Sequence, residues 1–420
     1  MDGGRFIAQT PGTTVLTEAP SIAALSQAVN EKIEKSGDKN SHFDVIVLGI
    51  GSMGSATAYH LAKNGYKVLG LEQFEIPHEL GSHTGQSRLI RKAYGEHPDY
   101  VPLLEKAYEN WKILESETGT QVYFKTCILY FGEESNSFLK GVLKSSEKYG
   151  IQVNALTKAI HSEKYPRFKI PDDFICLEEP DAGFVTPEQS ILLFTDQALQ
   201  HGAVIRTNEK VSEWKLENGL IKVKSGKGTF TAKKLVITAG PWAGKMIPGY
   251  AEKLKVTRQT IAWVKPARRE AFTLGNFPCW IIVDGDAFYY GFPILPEGNF
   301  GGPTGLKLAM HHPLGAVSDP DTVNRIPNKA DEKVLINALN KFFPEEYSQT
   351  LHMKTCMYTM SPDENFILDF LEGYDKNVVI ATGFSGHGFK FASVVGEIMA
   401  DLAMKGSTDL PIGFLRSSRF

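Results

Sequence analysis

The chain is predicted to be α/β, a two-domain α+β arrangement in which a Rossmann-like dinucleotide-binding domain is interrupted by a mixed β-sheet domain. Three observations predict it. A glycine-punctuated strand, turn and helix lie at 44–65. Short aromatic and β-branched runs dominate the middle of the chain. A second strand, glycine turn and helix lie at 378–402.

The first unit is read residue by residue. Val45–Leu48 is a continuous branched apolar run, the pattern of a parallel strand buried on both faces. Gly49, Gly51 and Gly54 follow, with Ser52 and Met53 between them. Ser55–Lys63 then reads as a helix closed by Asn64-Gly65. Gly49 allows the tight turn, Gly51 lets the backbone approach a pyrophosphate, and Gly54 lets helix and strand pack closely. The helix N-terminus offers free N–H groups and a positive dipole end to the phosphates. A second apolar run, Lys67–Leu71, ends in Glu72, an acid placed to accept hydrogen bonds from an adenosine ribose. Glycines alone would also suit a mobile loop; strand, helix and acid together point to a dinucleotide. The motif does not choose between NAD and FAD.

Farther along, Tyr100–Thr118 and Pro187–His201 read as helices. Cys127–Phe131, Val204–Thr207, Leu220–Val223, Ala262–Lys265, Trp280–Val283 and Phe288–Gly291 read as strands. Lys234–Gly240 and Asn377–Thr382 are further buried-strand patterns. A dinucleotide domain interrupted in this way suits a flavoenzyme better than a simple NAD dehydrogenase. Val378–Ala381 leads into Thr-Gly-Phe-Ser-Gly-His-Gly-Phe-Lys at 382–390. A helix follows, with Phe391, Val394, Val395, Ile398 and Leu402 in helical period. The N–H groups of that turn could face an isoalloxazine carbonyl and favour the anionic reduced flavin. A purely structural turn with Lys390 solvated is the alternative. The expected division is an N-terminal extension over 1–42, disordered or loosely docked; a discontinuous FAD-binding domain over 43–125, 185–255 and 350–420; and a substrate domain over 126–184 and 256–349.

Composition excludes several classes. The 420 residues are 42% hydrophobic and 22% charged, with net charge −3, so a sizeable core is available and no basic footprint for nucleic acid exists. No apolar stretch approaches a membrane span. Cys127, Cys176, Cys279 and Cys356 are scattered, without metal spacing, so a reducing, cytoplasmic setting is the expectation. Met1–Pro20, rich in Gly, Thr and Pro, lacks the form of a signal peptide, and Ser21–Lys35 reads as a short polar helix. Ser418-Arg419-Phe420 is a distant echo of a peroxisomal tripeptide and is read as an ordinary terminus.

Four blocks carry a resemblance. They are the glycine motif; Gly-Ser-His-Thr-Gly-Gln-Ser-Arg-Leu-Ile-Arg-Lys-Ala-Tyr-Gly-Glu at 81–96; Tyr-Tyr-Gly-Phe-Pro at 289–293 with Gly-Leu-Lys at 305–307; and Cys-Met-Tyr-Thr-Met-Ser-Pro-Asp-Glu-Asn-Phe at 356–366, running on to the glycine turn. From Phe43 onward the chain resembles the monomeric sarcosine oxidase and N-methyltryptophan oxidase family of FAD-dependent amine oxidases. The resemblance implies that Cys356 attaches covalently to the flavin 8α-methyl group. It implies that Arg91 and Lys390 bind a substrate carboxylate, that Arg88 lies near the flavin, and that Lys307 activates oxygen beside it. Tyr290 and His311 would shape the substrate pocket. Gly49, Gly51, Ser52, Met53, Gly54, Glu72, Ser82, His83, Gly383, Gly386, His387 and Gly388 would hold the cofactor with Arg88, Cys356 and Lys390. Taken bare, Cys356 is one of four thiols, Lys307 an exposed strand residue, and Arg91 half of a surface ion pair. Arg88 and Arg91, three apart, could share a helical face.

The resemblance implies an oxidase of secondary N-alkyl amino acids, yielding an imine and then an aldehyde plus a primary amino acid, with oxygen reduced to hydrogen peroxide. Its partners would be a small N-substituted amino acid and oxygen, with no nucleic acid, no membrane and a monomeric state. Oxidation of pipecolate or fructosyl amino acids, or a dehydrogenase using another acceptor, are the alternatives. A non-catalytic flavin scaffold and a plain NAD module are the remaining ones. The stretch from Pro293 to Lys307 is long against the pattern the resemblance implies for sarcosine-specific members and is expected to form a loop over the site. Met310 stands where an aromatic residue would be familiar, and His312 could replace His311 if the register shifts.

Overall fold

The computed structural model describes residues 21–36, 41–296, 298, 300–311 and 315–420. The glycine strand, His42–Leu48, lies between Gly228–Ile237 and Val68–Leu71, parallel to both. Val204–Arg206 extends the parallel sheet on one side and Val378–Thr382 on the other. Strand parity explains the apolar run. Val45 and Val47 pack with the helices Ser52–Lys63, Pro187–Gln200 and Ala392–Lys405. Ile46 and Leu48 face the opposite core, with Ile221, Val223, Tyr250 and Leu254. Successive side chains point to opposite faces, so a strand covered on both sides must be apolar throughout.

A second, eight-stranded sheet runs in the order Tyr347–Met360, Lys255–Pro266, Leu306–His311, Ala287–Phe292, Cys279–Asp284, Ile128–Glu133, Phe174–Glu179 and Asn154–Leu156. It is antiparallel except where Cys279–Asp284 runs parallel to Ile128–Glu133, so it is mixed, as expected. Arg88–Ile90, Gly183–Val185 and Tyr123–Lys125 form a small third sheet. Among the described residues no helix is long and apolar enough to cross a membrane.

The structure departs from the sequence reading in four places. Tyr347–Met360 pairs along its length with Lys255–Pro266. The residues from 350, expected in the FAD-binding domain, therefore begin in the mixed sheet, and the parallel sheet is rejoined only at Ile367–Phe370. Arg88 and Arg91 do not share a helical face, because Arg88–Ile90 is an extended strand and Arg91 lies just beyond its end. Residues 22–35 of the extension form a helix capped by Ser21, with Val29 and Ile33 buried against the core and Lys32 paired with Asp196. This part of the extension is docked, while residues 1–20 lie outside the described residues. Finally, none of the described residues of 293–306 lines the cavity holding the other site residues. Gly302 and Pro303 instead border a second cavity of about 540 Å³, with Thr84, Arg325 and Thr355.

The glycine turn sets the tightest packing. Gly49 has φ +88°, and a Cβ on Gly54 would lie 1.8 Å from the Gly49 carbonyl oxygen. Gly54→Ala is therefore expected to lower stability by about 1–3 kcal/mol or more. Gly226→Ala, in open space with ordinary φ, should stay within about 0.5 kcal/mol of wild type when both variants are unfolded in urea.

Candidate active site

The C-terminal ends of the parallel strands open onto the mixed sheet, the usual crevice for a dinucleotide in this architecture. A cavity of about 510 Å³ lies there. Gly49, Gly51, Ser52, Met53, Glu72, Ser82, His83, Arg88, Arg91, Tyr290, His311, Cys356, Gly383, Gly386, His387, Gly388 and Lys390 all line it. Gly54 and Lys307 do not. Gly54 is packed beneath the turn, and Lys307 is buried behind the segment 85–87. His312 lies outside the described residues.

The residues fit a dinucleotide. A Cβ on Gly51 would meet only His83 Nδ1, at 4.0 Å, so it would project into the cavity where a pyrophosphate must approach. Glu72 accepts hydrogen bonds from the N–H of Ile50 at 2.8 Å and of Phe74 at 3.1 Å, which fix its carboxylate at the cavity wall. Burial pushes that carboxyl up to about 7, against the pull of its backbone donors. His83 Nε2, Thr359 Oγ1 and Thr382 Oγ1 are buried without a partner among the described residues, and all three residues line the cavity. Burial, with Arg88 nearby, brings the His83 imidazole down to about 4, so it is neutral and free to donate or accept one hydrogen bond. Of the four cysteines only Cys356 lines the cavity. Burial pushes its thiol up, while the charges of Arg88 and Lys307 draw it down.

The two predicted carboxylate ligands are brought together. The Arg91 guanidinium lies 4.4 Å from the centre of the Tyr94 ring and the Lys390 ammonium 5.2 Å from the same ring. Arg91 is not an exposed residue: it is 3% exposed, and its Nη2 donates to both oxygens of Glu96 at 2.7 Å. Burial alone would raise the Glu96 carboxyl, but Arg91, His387 and Lys390 outweigh it and hold it down to about 2. Lys390 donates to the His387 carbonyl at 2.7 Å. Burial and the neighbouring Arg91 bring its amine down to about 7, with Glu96 opposing. His387 is itself hydrogen-bonded to the Tyr94 hydroxyl and to the Glu364 carbonyl.

Lys307 is held from all sides. Its ammonium donates to the carbonyls of Gly85 and Ser87, each at 2.6 Å, and to Ser87 Oγ at 3.1 Å. Its strand neighbours Phe292 and Trp263 place their rings 4.2 and 5.9 Å from it. Burial and Arg88 lower its amine well below the ordinary value. Arg88 donates to the carbonyls of Ser82, Thr84 and Ser87. His311 Nδ1 and the Tyr358 hydroxyl are 3.2 Å apart, and Tyr290 lies on the same wall.

Three residues escaped the sequence reading. Tyr358 follows Cys356 by two in a strand, a spacing that puts both on one face and could have found it. Glu96 ends the second block and had no role there. Glu188 lies a hundred residues from the turn it holds, and no local signal marks it.

The pattern of the family described as FAD dependent oxidoreductase matches residues 44–402. The chain is similar to monomeric sarcosine oxidase of Bacillus sp. (strain NS-129), 35% identical over 385 residues, covering 90% of this chain and 97% of that one. It is similar to N-methyl-L-tryptophan oxidase of Yersinia pestis (strain Pestoides F), 31% identical over 381 residues, covering 90% and 99%. The fold is that of NikD, described as an unusual amino acid oxidase essential for nikkomycin biosynthesis, with TM-score 0.76, 22% identity and coverage of 90% and 98%.

The lowered proton affinity of Lys390 has a measurable sign. Between about 7 and its ordinary 10.5 the unfolded chain carries a proton there that the folded chain does not. Unfolding takes up that proton, so stability rises with pH across this window. The urea midpoint of flavin-free protein should climb across it, and Lys390→Met should flatten the climb.

Proposed function

The chain belongs to the family of FAD dependent oxidoreductases, with the monomeric sarcosine and N-methyl-L-tryptophan oxidases as its relatives. From that premise we propose that it oxidises secondary, N-alkylated amino acids, passes the electrons to oxygen and works as a monomer. The observation that carries the reading is the pair of cations, Arg91 and Lys390, flanking Tyr94 in the cavity that also holds Cys356 and the glycine cradle. FAD, when bound, supplies the two-electron acceptor for the C–H bond beside the amine and returns those electrons to oxygen as hydrogen peroxide.

The protein's own part is binding, orientation and charge. Arg91 offers a planar guanidinium to a carboxylate, its Nη2 now donating to Glu96, and Lys390 offers a second positive partner. An arriving carboxylate favours the charged form of Lys390, so substrate binding and protonation of that amine reinforce one another. Phe138, Phe288, Tyr290 and Tyr358 give the N-alkyl group and side chain an aromatic wall that excludes water. The amine reacts unprotonated; the resulting imine is hydrolysed to an aldehyde and a primary amino acid, which for sarcosine are formaldehyde and glycine. Lys307 supplies positive charge for oxygen as it takes up electrons. Cys356 is the residue proposed to carry the flavin covalently, because a thiolate can add to the activated 8α-methyl carbon.

Purified protein is expected to be yellow and to release peroxide with one group from a panel of N-methyl, cyclic and fructosyl amino acids. Bleaching by one of them without peroxide in air would replace the oxidase with a dehydrogenase. Acid precipitation should leave the colour in the wild-type pellet but release it from Cys356→Ser. Retention in both would end the covalent assignment.

A further inference from the structure

The turn Gly85–Ser87 separates two opposite charges. On one side the Glu188 carboxylate, in the first turn of the helix Pro187–Gln200, accepts the N–H of Gly85 at 2.6 Å and of Gln86 at 3.1 and 3.2 Å. On the other, the Lys307 ammonium donates to the carbonyls of Gly85 and Ser87. The Gln86 N–H and the Gly85 C=O belong to one peptide group. That single peptide plane therefore bridges carboxylate and ammonium, with its dipole aligned to both. Hydrogen bonds in series in a water-poor interior polarise one another. The conformation needed is unusual: Gly85 has φ +118° and Gln86, not a glycine, φ +66°. Two successive N–H groups in such a turn make an anion-binding concavity. The Gln86 side chain pins the turn, donating to the Gly301 carbonyl and accepting from Trp263 Nε1.

Four groups set the charge on Lys307 once burial is allowed for. Arg88 opposes it, Glu188 favours it, and Cys356 and Cys279 are buried thiols whose ionised forms would favour it. The two thiols are raised by burial, which leaves Glu188 as the one standing negative charge among them.

We propose that Glu188 is a positioning residue that acts through the 85–86 peptide group to keep the Lys307 ammonium charged and aimed. The proposal rests on the reading that Lys307 assists the return of electrons to oxygen. In flavin-free protein, lysine labelled with 13C at Cε gives a resonance for Lys307, assigned by its loss in Lys307→Met. Glu188→Gln should lower the titration midpoint of that resonance by about one pH unit or more, whereas Glu188→Asp, which keeps the charge, should fall between. An unchanged midpoint in Glu188→Gln overturns the proposal. In the holoenzyme, anaerobic reduction by substrate should stay within about twofold in Glu188→Gln. Reoxidation in air should slow by about tenfold or more and recover as the pH falls. Equal slowing of both half-reactions would make Glu188 merely structural and also overturn it. Where Glu188→Gln fails to fold, Glu188→Met, of similar length and without charge, carries the same comparison. Normal reoxidation in Lys307→Met would instead remove the role of Lys307, while the midpoint still decides the link to Glu188.

Discussion

Arg88, Arg91 and Lys390 line one cavity and Lys307 lies buried behind its wall, and the way their charges are satisfied governs what it can hold. Removing a cation from water is costly unless polar groups replace the lost shell. Here the replacements are mostly neutral. Arg88 is held by three carbonyls, Lys307 by two carbonyls and a hydroxyl, and Lys390 by one carbonyl. Of these four, only Arg91 has a carboxylate directly on it among the described residues. Carbonyl dipoles satisfy a cation's hydrogen bonds without cancelling its charge. The cavity therefore keeps a positive potential suited to anionic groups: a pyrophosphate, a reduced flavin ring and a substrate carboxylate.

One short stretch makes this possible. Ser82, Thr84, Gly85 and Ser87 present their carbonyls to Arg88 and Lys307, while Arg88–Ile90 continues as a strand that delivers Arg91 to the other end of the site. A helix could not do this, since its carbonyls are spent on its own N–H groups. The segment also divides two cavities. Gly81, Ser82, His83 and Arg88 face the site described above, and Leu80 and Thr84 face the second one. The strand Tyr347–Met360 repeats the pattern, with Cys356 on the first cavity and its neighbour Thr355 on the second. The division runs along the strand: Met353, Lys354 and Thr355 border the second cavity, and Cys356, Met357, Tyr358 and Thr359 the first.

What the sequence disclosed follows from the range of each interaction. Val45–Leu48 and the three glycines were legible because a doubly buried strand and a close helix approach are local demands on residue type. The short runs of the mixed sheet were legible for the same reason, and Trp280–Val283 and Phe288–Gly291 became Cys279–Asp284 and Ala287–Phe292. Pairing was not legible. Nothing in residues 350–360 says that their partner is Lys255–Pro266 rather than the parallel sheet. The long stretch after Pro293 looked like a cover because it is rich in Pro and Gly, yet composition does not say which of two cavities it borders. Arg91 and Lys390 were named through resemblance alone; that they share the Tyr94 ring is a contact across 300 residues of chain.

Glu96 and Glu188 show how two carboxylates of the same chemistry divide their work by distance. Glu96 touches its cation directly, so it competes with any incoming carboxylate and must be displaced or joined by it. Glu188 is insulated from its cation by a peptide group, so it can stabilise the charge of Lys307 without occupying the space beside it. The first arrangement suits a site where substrate must come and go. The second suits one where a cation must remain charged while a small neutral molecule takes up electrons nearby. At a separation of one peptide plane in a medium of low effective dielectric, the attraction is still large enough to offset part of the desolvation cost. Direct contact would neutralise the positive field of the ammonium. A carboxylate behind the backbone favours the charged form of the ammonium and leaves its field in place.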